Sequence, residues 1–231
     1  MIESGYLGPY ILGPTSNCKR GVYTGSAAQL GVVVPSHSVD LIFCDPVYDN
    51  MEQYDWLGFF ASRVLADGGS LIVQCGNIYR FEAETQIHRY QALEHRILLL
   101  ERLTGGHSQL WRDRAIIGVK PYLWFTKNMG AMRKSKSWVP NLVDGGGSSK
   151  KHHRWGDSSK AIEVWISRLT EPGAIVLDPF AGSGTVSMAC IRTGRQYLAF
   201  EIMPDVADRA RKNCVYAQPS LIHANRQLEF L

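Results

Sequence analysis

Two apolar patterns alternate along the chain, short continuous runs and longer stretches with one apolar face, and together they predict a sheet covered by helices. Ser38-Val39-Asp40-Leu41-Ile42-Phe43 and Ser70-Leu71-Ile72-Val73-Gln74-Cys75 have the length and composition of strands buried on both faces. A shorter strand is predicted near residues 20–23, closed by Thr24-Gly25-Ser26 and followed by a short helix. Between the two buried runs, residues 51–65 place Trp56, Phe59, Phe60 and Leu65 on a helical stripe, and Asp67-Gly68-Gly69 breaks it. A helix over Glu82 to His95, a strand over 96–100 and a hairpin-like pair, 114–119 with 121–125, are expected next. Further on, Ser158 or Ser159 can cap a helix carrying Ile162, Trp165, Ile166 and Leu169, ended by Glu171-Pro172-Gly173. A strand at 174–177, a helix at 185–193 and a strand at 196–200 complete the alternation, which predicts a doubly wound α/β sheet.

One segment has no apolar period. Residues 127–155 are rich in Gly, Ser, Lys and Arg, including Gly145-Gly146-Gly147-Ser148-Ser149, and read as a long functional loop set into the domain. Charge sharpens that reading. From 129 to 155 the chain carries six basic residues (Arg133, Lys134, Lys136, Lys150, Lys151, Arg154) against Asp144, a net of +5 out of a total of +4, so the remainder stands at −1. A nearly neutral body with one basic segment predicts a local surface for a polyanion. His152 and His153 lie within that cluster and read as phosphate contacts, because no Cys or acid at ligand spacing accompanies them; no metal is expected. Trp138 and Trp155 flank the loop, as stacking groups or as local core.

The rest of the composition mainly excludes. Hydrophobic residues at 45% and charged residues at 20% of 231 rule out collagen-like, coiled-coil and wholly disordered chains. No apolar run approaches the roughly 18 residues that cross a bilayer, and the start lacks a basic region followed by an apolar one. A cytoplasmic location without a membrane partner is therefore expected. The cysteines (18, 44, 75, 190, 214) are odd in number and none is paired at a zinc-knuckle spacing, so reduced, mostly buried thiols are expected.

Chemistry concentrates in two places. The strand Val176-Leu177 runs into Asp178-Pro179-Phe180-Ala181-Gly182-Ser183-Gly184-Thr185 and then a helix, a nucleotide-binding opening in which the glycines let backbone approach a ligand. The wider three-glycine spacing for a pyrophosphate and the Gly-Lys-Ser/Thr of a P-loop are both missing, so the ligand should lack a bound phosphate chain. Glu201 follows the next strand, 23 positions after Asp178, where a carboxylate can accept both hydroxyls of a ribose; the alternative is a cap for the helix starting at Pro204. The second place is Cys44-Asp45-Pro46-Val47-Tyr48, at the end of a buried strand.

Residues 178–185 match at all eight positions the S-adenosylmethionine motif of the DNA amino-methyltransferases, which act on N6 of adenine or N4 of cytosine. With Asp45-Pro46-Val47-Tyr48 ahead of it, the chain resembles the permuted β group of that family over nearly its whole length. Arg63-Val64-Leu65-Ala66-Asp67-Gly68-Gly69-Ser70 also resembles a common family segment. The resemblance implies a Rossmann-like methyltransferase fold with a seven-stranded, mostly parallel sheet, circularly permuted, and a small recognition insertion. It implies one domain over 1–231, with a catalytic half about 20–126, a target-recognition insertion about 127–155 and a cofactor-binding half about 156–217. S-adenosylmethionine is the implied cofactor and double-stranded DNA the implied partner. A homodimer is a further expectation, since similar enzymes of the group are often dimers.

The chemistry of Asp-Pro-x-Tyr follows from the substrate. An exocyclic amine conjugated to a base ring is a poor nucleophile, and acceptors for both its N–H groups localise its lone pair and aim it. Asp45 and the carbonyl of Pro46 would supply them, and Tyr48 would stack on a base flipped from the duplex. Val47 stands where the family has a second proline, which removes one lock on φ. Ser26 stands where the family has an Asp near the cofactor's adenine. Ser158, Ser159 and Lys160 stand where it has Thr-Gln-Lys, near the methionine end, with Ala161 in place of the proline that follows. DNA contacts are expected from Arg133, Lys134, Lys136, Lys150, Lys151, His153 and Arg154.

Asp-Pro in place of Ser-Pro leans the expectation toward N6 of adenine, with N4 of cytosine as the runner-up. Methylation of RNA or a small amine, and a catalytically weakened DNA-binding relative, are the remaining alternatives.

Overall fold

Every buried run of the sequence becomes a strand of one sheet. The computed structural model describes residues 21–104, 108–111, 113–129, 138–145 and 160–217. In chain order the elements are β1 (Gly21–Thr24), α1 (Ala27–Gly31), β2 (Val39–Cys44), α2 (Met51–Val64), β3 (Leu65–Gln74), α3 (Arg80–His88) and β4 (Leu93–Arg102). There follow β5 (Ser108–Leu110), β6 (Ala115–Ile117), β7 (Val119–Lys127), β8 (Leu142–Asp144), α4 (Lys160–Leu169), β9 (Ile175–Asp178), α5 (Thr185–Thr193), β10 (Gln196–Glu201) and α6 (Pro204–Tyr216).

The main sheet has the order β1-β10-β9-β2-β3-β7-β4-β8. Among the described strands of this sheet only β7 runs antiparallel to its neighbours β3 and β4, and the other pairs are parallel. The seven expected strands are present, and the three-residue β8 adds an eighth by pairing with β4, Leu142 opposite Leu100. Part of the segment read as structureless thus closes a sheet edge. The permutation is visible where β1, the first strand described, pairs with the late strand β10.

Alternation along β2 divides the core. Ile42 and Cys44 pack on one face with Tyr54, Leu57 and Phe60 of α2 and Ile87 of α3. Leu41 and Phe43 pack on the other with Ile162, Trp165 and Ile166 of α4 and Val186 of α5. Among the described residues Cys44, Cys75, Cys190 and Cys214 are buried and form no disulfide.

Three local expectations are corrected. The α2 stripe is Tyr54, Leu57, Gly58, Phe60, Ala61 and Val64, while Phe59 is exposed; aromatic size drew the reading one position round from the true 3–4 spacing. Helix α3 ends at His88, because Leu93 already pairs with Lys127 of β7 and long-range pairing overrides local helical preference. Residues 114–119 and 121–125 do not form a hairpin together. Instead β6 pairs with β5 as a separate ribbon, and β7 runs centrally between β3 and β4.

Candidate active site

Strand order reverses direction between β9 and β2, from which the chain proceeds to β10 on one side and β3 on the other. Ligands of open α/β sheets bind in the crevice outside the carboxyl ends of the strands at such a switch point. The parallel register sets Leu41 opposite Val176 and Ile42 opposite Leu177, which brings Asp45 and Asp178 to the same end of the sheet. Two cavities meet there. One of 550 Å³ includes Ser26, Val47, Trp56, Glu201 and Ile202. The other, of 350 Å³, includes Gln74, Glu101, Lys120, Tyr122, Ser183 and Thr185. Asp45, Phe180 and Gly182 line both.

The glycine loop is built as its sequence requires. Gly182 and Gly184 have φ of 50° and 86°, in the left-handed region where glycine is favoured. A Cβ on Gly182 would meet no protein atom within 4 Å, so that backbone faces free space in the crevice wall, whereas one on Gly184 would press on Ala210 of α6 at 3.2 Å. The Asp178 carboxylate accepts from the Phe180 amide at 3.0 Å and closes the turn. Burial, with Asp45 and Glu201 adding repulsion, pushes Asp178 up to about 8 against that hydrogen bond. Glu201 accepts from the Gly182 amide and the Met203 amide, each at 2.9 Å. It therefore braces the glycine loop and leads into α6 while lining the larger cavity.

The Asp45 turn is held from several sides. Val47, with no second proline, donates its amide to Gln53 Oε1 at 3.0 Å and accepts from the Asn50 amide at 3.1 Å. Asn50 caps α2 by accepting from the Gln53 amide at 3.3 Å. The Tyr48 hydroxyl donates to Asp45 and accepts from Gln74 Nε2. Its ring lies against Gly76, where a Cβ would come within 2.9 Å of it. Burial raises Asp45 to about 6, and the Tyr48 hydroxyl and Lys120 charge pull it back down. An aspartate poised there is ionised at neutral pH and can accept hydrogen bonds from an amine.

Gln53, Gln74, Glu101, Lys120 and Tyr122 were not singled out in the sequence. Gln74 ends a buried strand and Lys120-Pro121 opens one, and those positions were the available signal. A third cavity, of 250 Å³, extends from Tyr48, Gln74 and Lys120 to Leu110 and Ile117 of the β5–β6 ribbon.

Of the other expected site residues, Asp45, Pro46, Val47, Pro179, Phe180, Ala181, Ser183, Thr185 and Ser26 all line these cavities. Lys160 opens α4 and is exposed, with Ile162 of the same helix reaching the 350 Å³ chamber. Ser158, Ser159, Arg133, Lys134, Lys136, Lys150, Lys151, His153 and Arg154 lie outside the described residues, as do His152 and Trp155. Trp138 is 95% exposed, which removes the local-core reading for it. Among the described residues no helix is long and apolar enough to cross a membrane.

Comparison with known proteins agrees with this geometry. The type II methyltransferase M.BamHI of Bacillus amyloliquefaciens is 24% identical over 230 residues, covering 78% of this chain and 54% of that protein. The M1.HpyAVI–SAM complex superposes with a TM-score of 0.67 at 21% identity, over 83% of this chain and 97% of that one. The cytosine-N4-specific PvuII DNA methyltransferase does so with a TM-score of 0.66 at 22% identity, over 84% and 86%. These likenesses show the methyltransferase fold. The chain spans about half or less of the length of the curated relatives it matches. The family model of the N6/N4 class, described as DNA methylase, matches residues 39–212, and the chain belongs to that family.

Proposed function

We propose that the protein transfers a methyl group from S-adenosylmethionine to the exocyclic N6 of adenine in double-stranded DNA. The observation that carries this is the Asp45 carboxylate at the junction of the two cavities, within the turn that also presents the Pro46 carbonyl. The 550 Å³ cavity falls within the range of small-molecule sites, and the bare backbone of Gly182 is the cradle a close-fitting ligand needs.

When bound, the cofactor supplies an electrophilic methyl group on a sulfonium. Glu201 would accept from the ribose hydroxyls through lone pairs its two amide donors leave free, and Ser26 would approach the adenine. Gly182, Ser183 and Thr185 would face the methionine portion. Asp45 and the Pro46 carbonyl would accept from the two N–H groups of the target amine, so that its lone pair points along the line of attack. Transfer would exchange the C–S bond of the sulfonium for the new N–C bond, and Asp45 or water would take the proton that the methylated nitrogen sheds. Tyr48 would leave its seat on Gly76 to stack on the flipped base. The β5–β6 ribbon, with Trp111 82% exposed and Arg114 exposed, flanks this mouth and would meet the duplex beside residues 127–155. Homodimer assembly rests on the family resemblance, and sedimentation tests it.

Likeness to the cytosine-N4-specific PvuII enzyme favours a second reading, N4 of cytosine. Incubation with radiolabelled cofactor and DNA from a methylation-deficient host, digested to nucleosides, separates them. Label in N6-methyladenosine supports the first, label in N4-methylcytosine the second, and no label despite cofactor binding overturns both.

A further inference from the structure

Lys120 and Glu101 sit directly opposite each other on the antiparallel β7–β4 ladder. Lys120 Nζ lies 3.9 Å from Glu101 Oε2, the same oxygen that accepts the Tyr122 hydroxyl at 2.9 Å. The Glu101 side chain is 1% exposed and that of Lys120 43%. A carboxylate withdrawn this far from water needs partners for its lone pairs, and the pairing tethers the lysine along the wall of the 350 Å³ chamber. Lys120 lines both that chamber and the 250 Å³ cavity beneath Tyr48. No step of methyl transfer as derived above uses it.

The groups around Asp45 show what it can do. Cys44 adjoins Asp45 at the end of β2, Tyr48 bonds it from its own turn, and Gln74 and Cys75 come from the end of β3. Glu101 comes from β4, Tyr122 from β7 and Asp178 from β9. Among the described residues lining this chamber Lys120 is the one basic group, set among three acids. As a base and a cofactor fill the chamber and displace water, charge interactions inside it strengthen. The loss of water then favours a protonated Asp45, which would turn one oxygen from acceptor to donor and spoil the fork for the amine.

Resting on the methyltransfer reading above, we propose that Lys120, tethered by the buried Glu101, is a positioning residue that keeps Asp45 an ionised acceptor while the target base is bound. It acts through Asp45 and does not touch the reacting atoms.

The test compares wild type, Lys120→Met and Lys120→Arg in the full chain. The Asp45 titration is followed by carboxyl carbon NMR without ligands, and single-turnover transfer is measured against pH with cofactor and DNA saturating. In Lys120→Met the Asp45 midpoint should rise from about 6 by about one unit. The acidic limb of transfer should move with it, giving about fivefold slower transfer at pH 6 and less than about threefold at pH 8.5. Lys120→Arg should restore both. A Lys120→Met profile lowered uniformly at every pH, or an Asp45 midpoint that does not move, overturns the proposal. Wild type that titrates as expected yet labels no DNA overturns the parent reading, and this one with it.

Discussion

The Asp45 turn does without the second proline of its family, and the structure offers a replacement whose worth can be measured. The Val47 amide, which a proline would lack, donates to Gln53 Oε1 at 3.0 Å, and Gln53 is itself fixed by the Asn50 cap of α2. A neutral hydrogen bond contributes about 1 kcal/mol net, and Val47 is 57% exposed, so water competes for its amide. Losing about 1 kcal/mol of preorganisation slows the chemical step about fivefold. Gln53→Ala should therefore reduce single-turnover methyl transfer by about that factor with cofactor and DNA saturating. Val47→Pro removes the donor but restores the φ restraint, and should stay within about twofold of wild type. The double variant should match Val47→Pro alone, a coupling of about 1 kcal/mol in the cycle. Gln53 also lines the 550 Å³ cavity. If Gln53→Ala slows transfer equally in both backgrounds, it acts on a ligand and the loop-lock argument fails.

Other outcomes follow from the same geometry. Asp45→Ala should lower transfer at least about 100-fold while calorimetry finds cofactor affinity within about threefold, and a matching loss of cofactor binding would contradict its assignment to the target amine. Gly184→Ala combines a φ of 86° with Ala210 at 3.2 Å and should lower the melting temperature by several degrees, about 1–2 kcal/mol. Gly182→Ala, facing open space, should weaken cofactor binding more than it weakens the fold; the reverse order would contradict the cradle. Asp178 titrates at about 8 in the fold against an ordinary 3.8, so the native state keeps a proton that the unfolded chain releases between those values. Stability from that group is full below the lower value and lost as pH rises through the upper one. Asp178→Asn keeps the Phe180 contact, so its gain in melting temperature should be larger at pH 8 than at pH 5; equal gains would refute the assignment.

Legibility in the sequence followed the range of the interactions. Asp178 to Thr185 could be read directly, because a turn that needs left-handed glycines between a buried strand and a helix is a local matter. The strands β2, β3, β9 and β10 were legible for the same kind of reason: burial on both faces leaves a continuous apolar run. The Glu82–His95 helix and the 114–125 hairpin failed where pairing with distant strands decides the outcome. Nothing within ten residues of Leu93 announces that Lys127 will lie opposite it.

The same distinction divides the candidate site. Asp45 and Tyr48 sit in one tetrapeptide and were found together. Their supporting groups come from three strands, and each is ordinary in its local sequence. Gln74 meets Tyr122, and Glu101 meets Lys120, only through the register of β7 against β3 and β4. A motif can thus give the acceptor for the amine, but whether that acceptor holds its charge depends on a buried carboxylate and a lysine delivered by the sheet. The proline that Val47 replaces is thus one restraint among several, because the Gln53 and Tyr48 contacts act on the same turn.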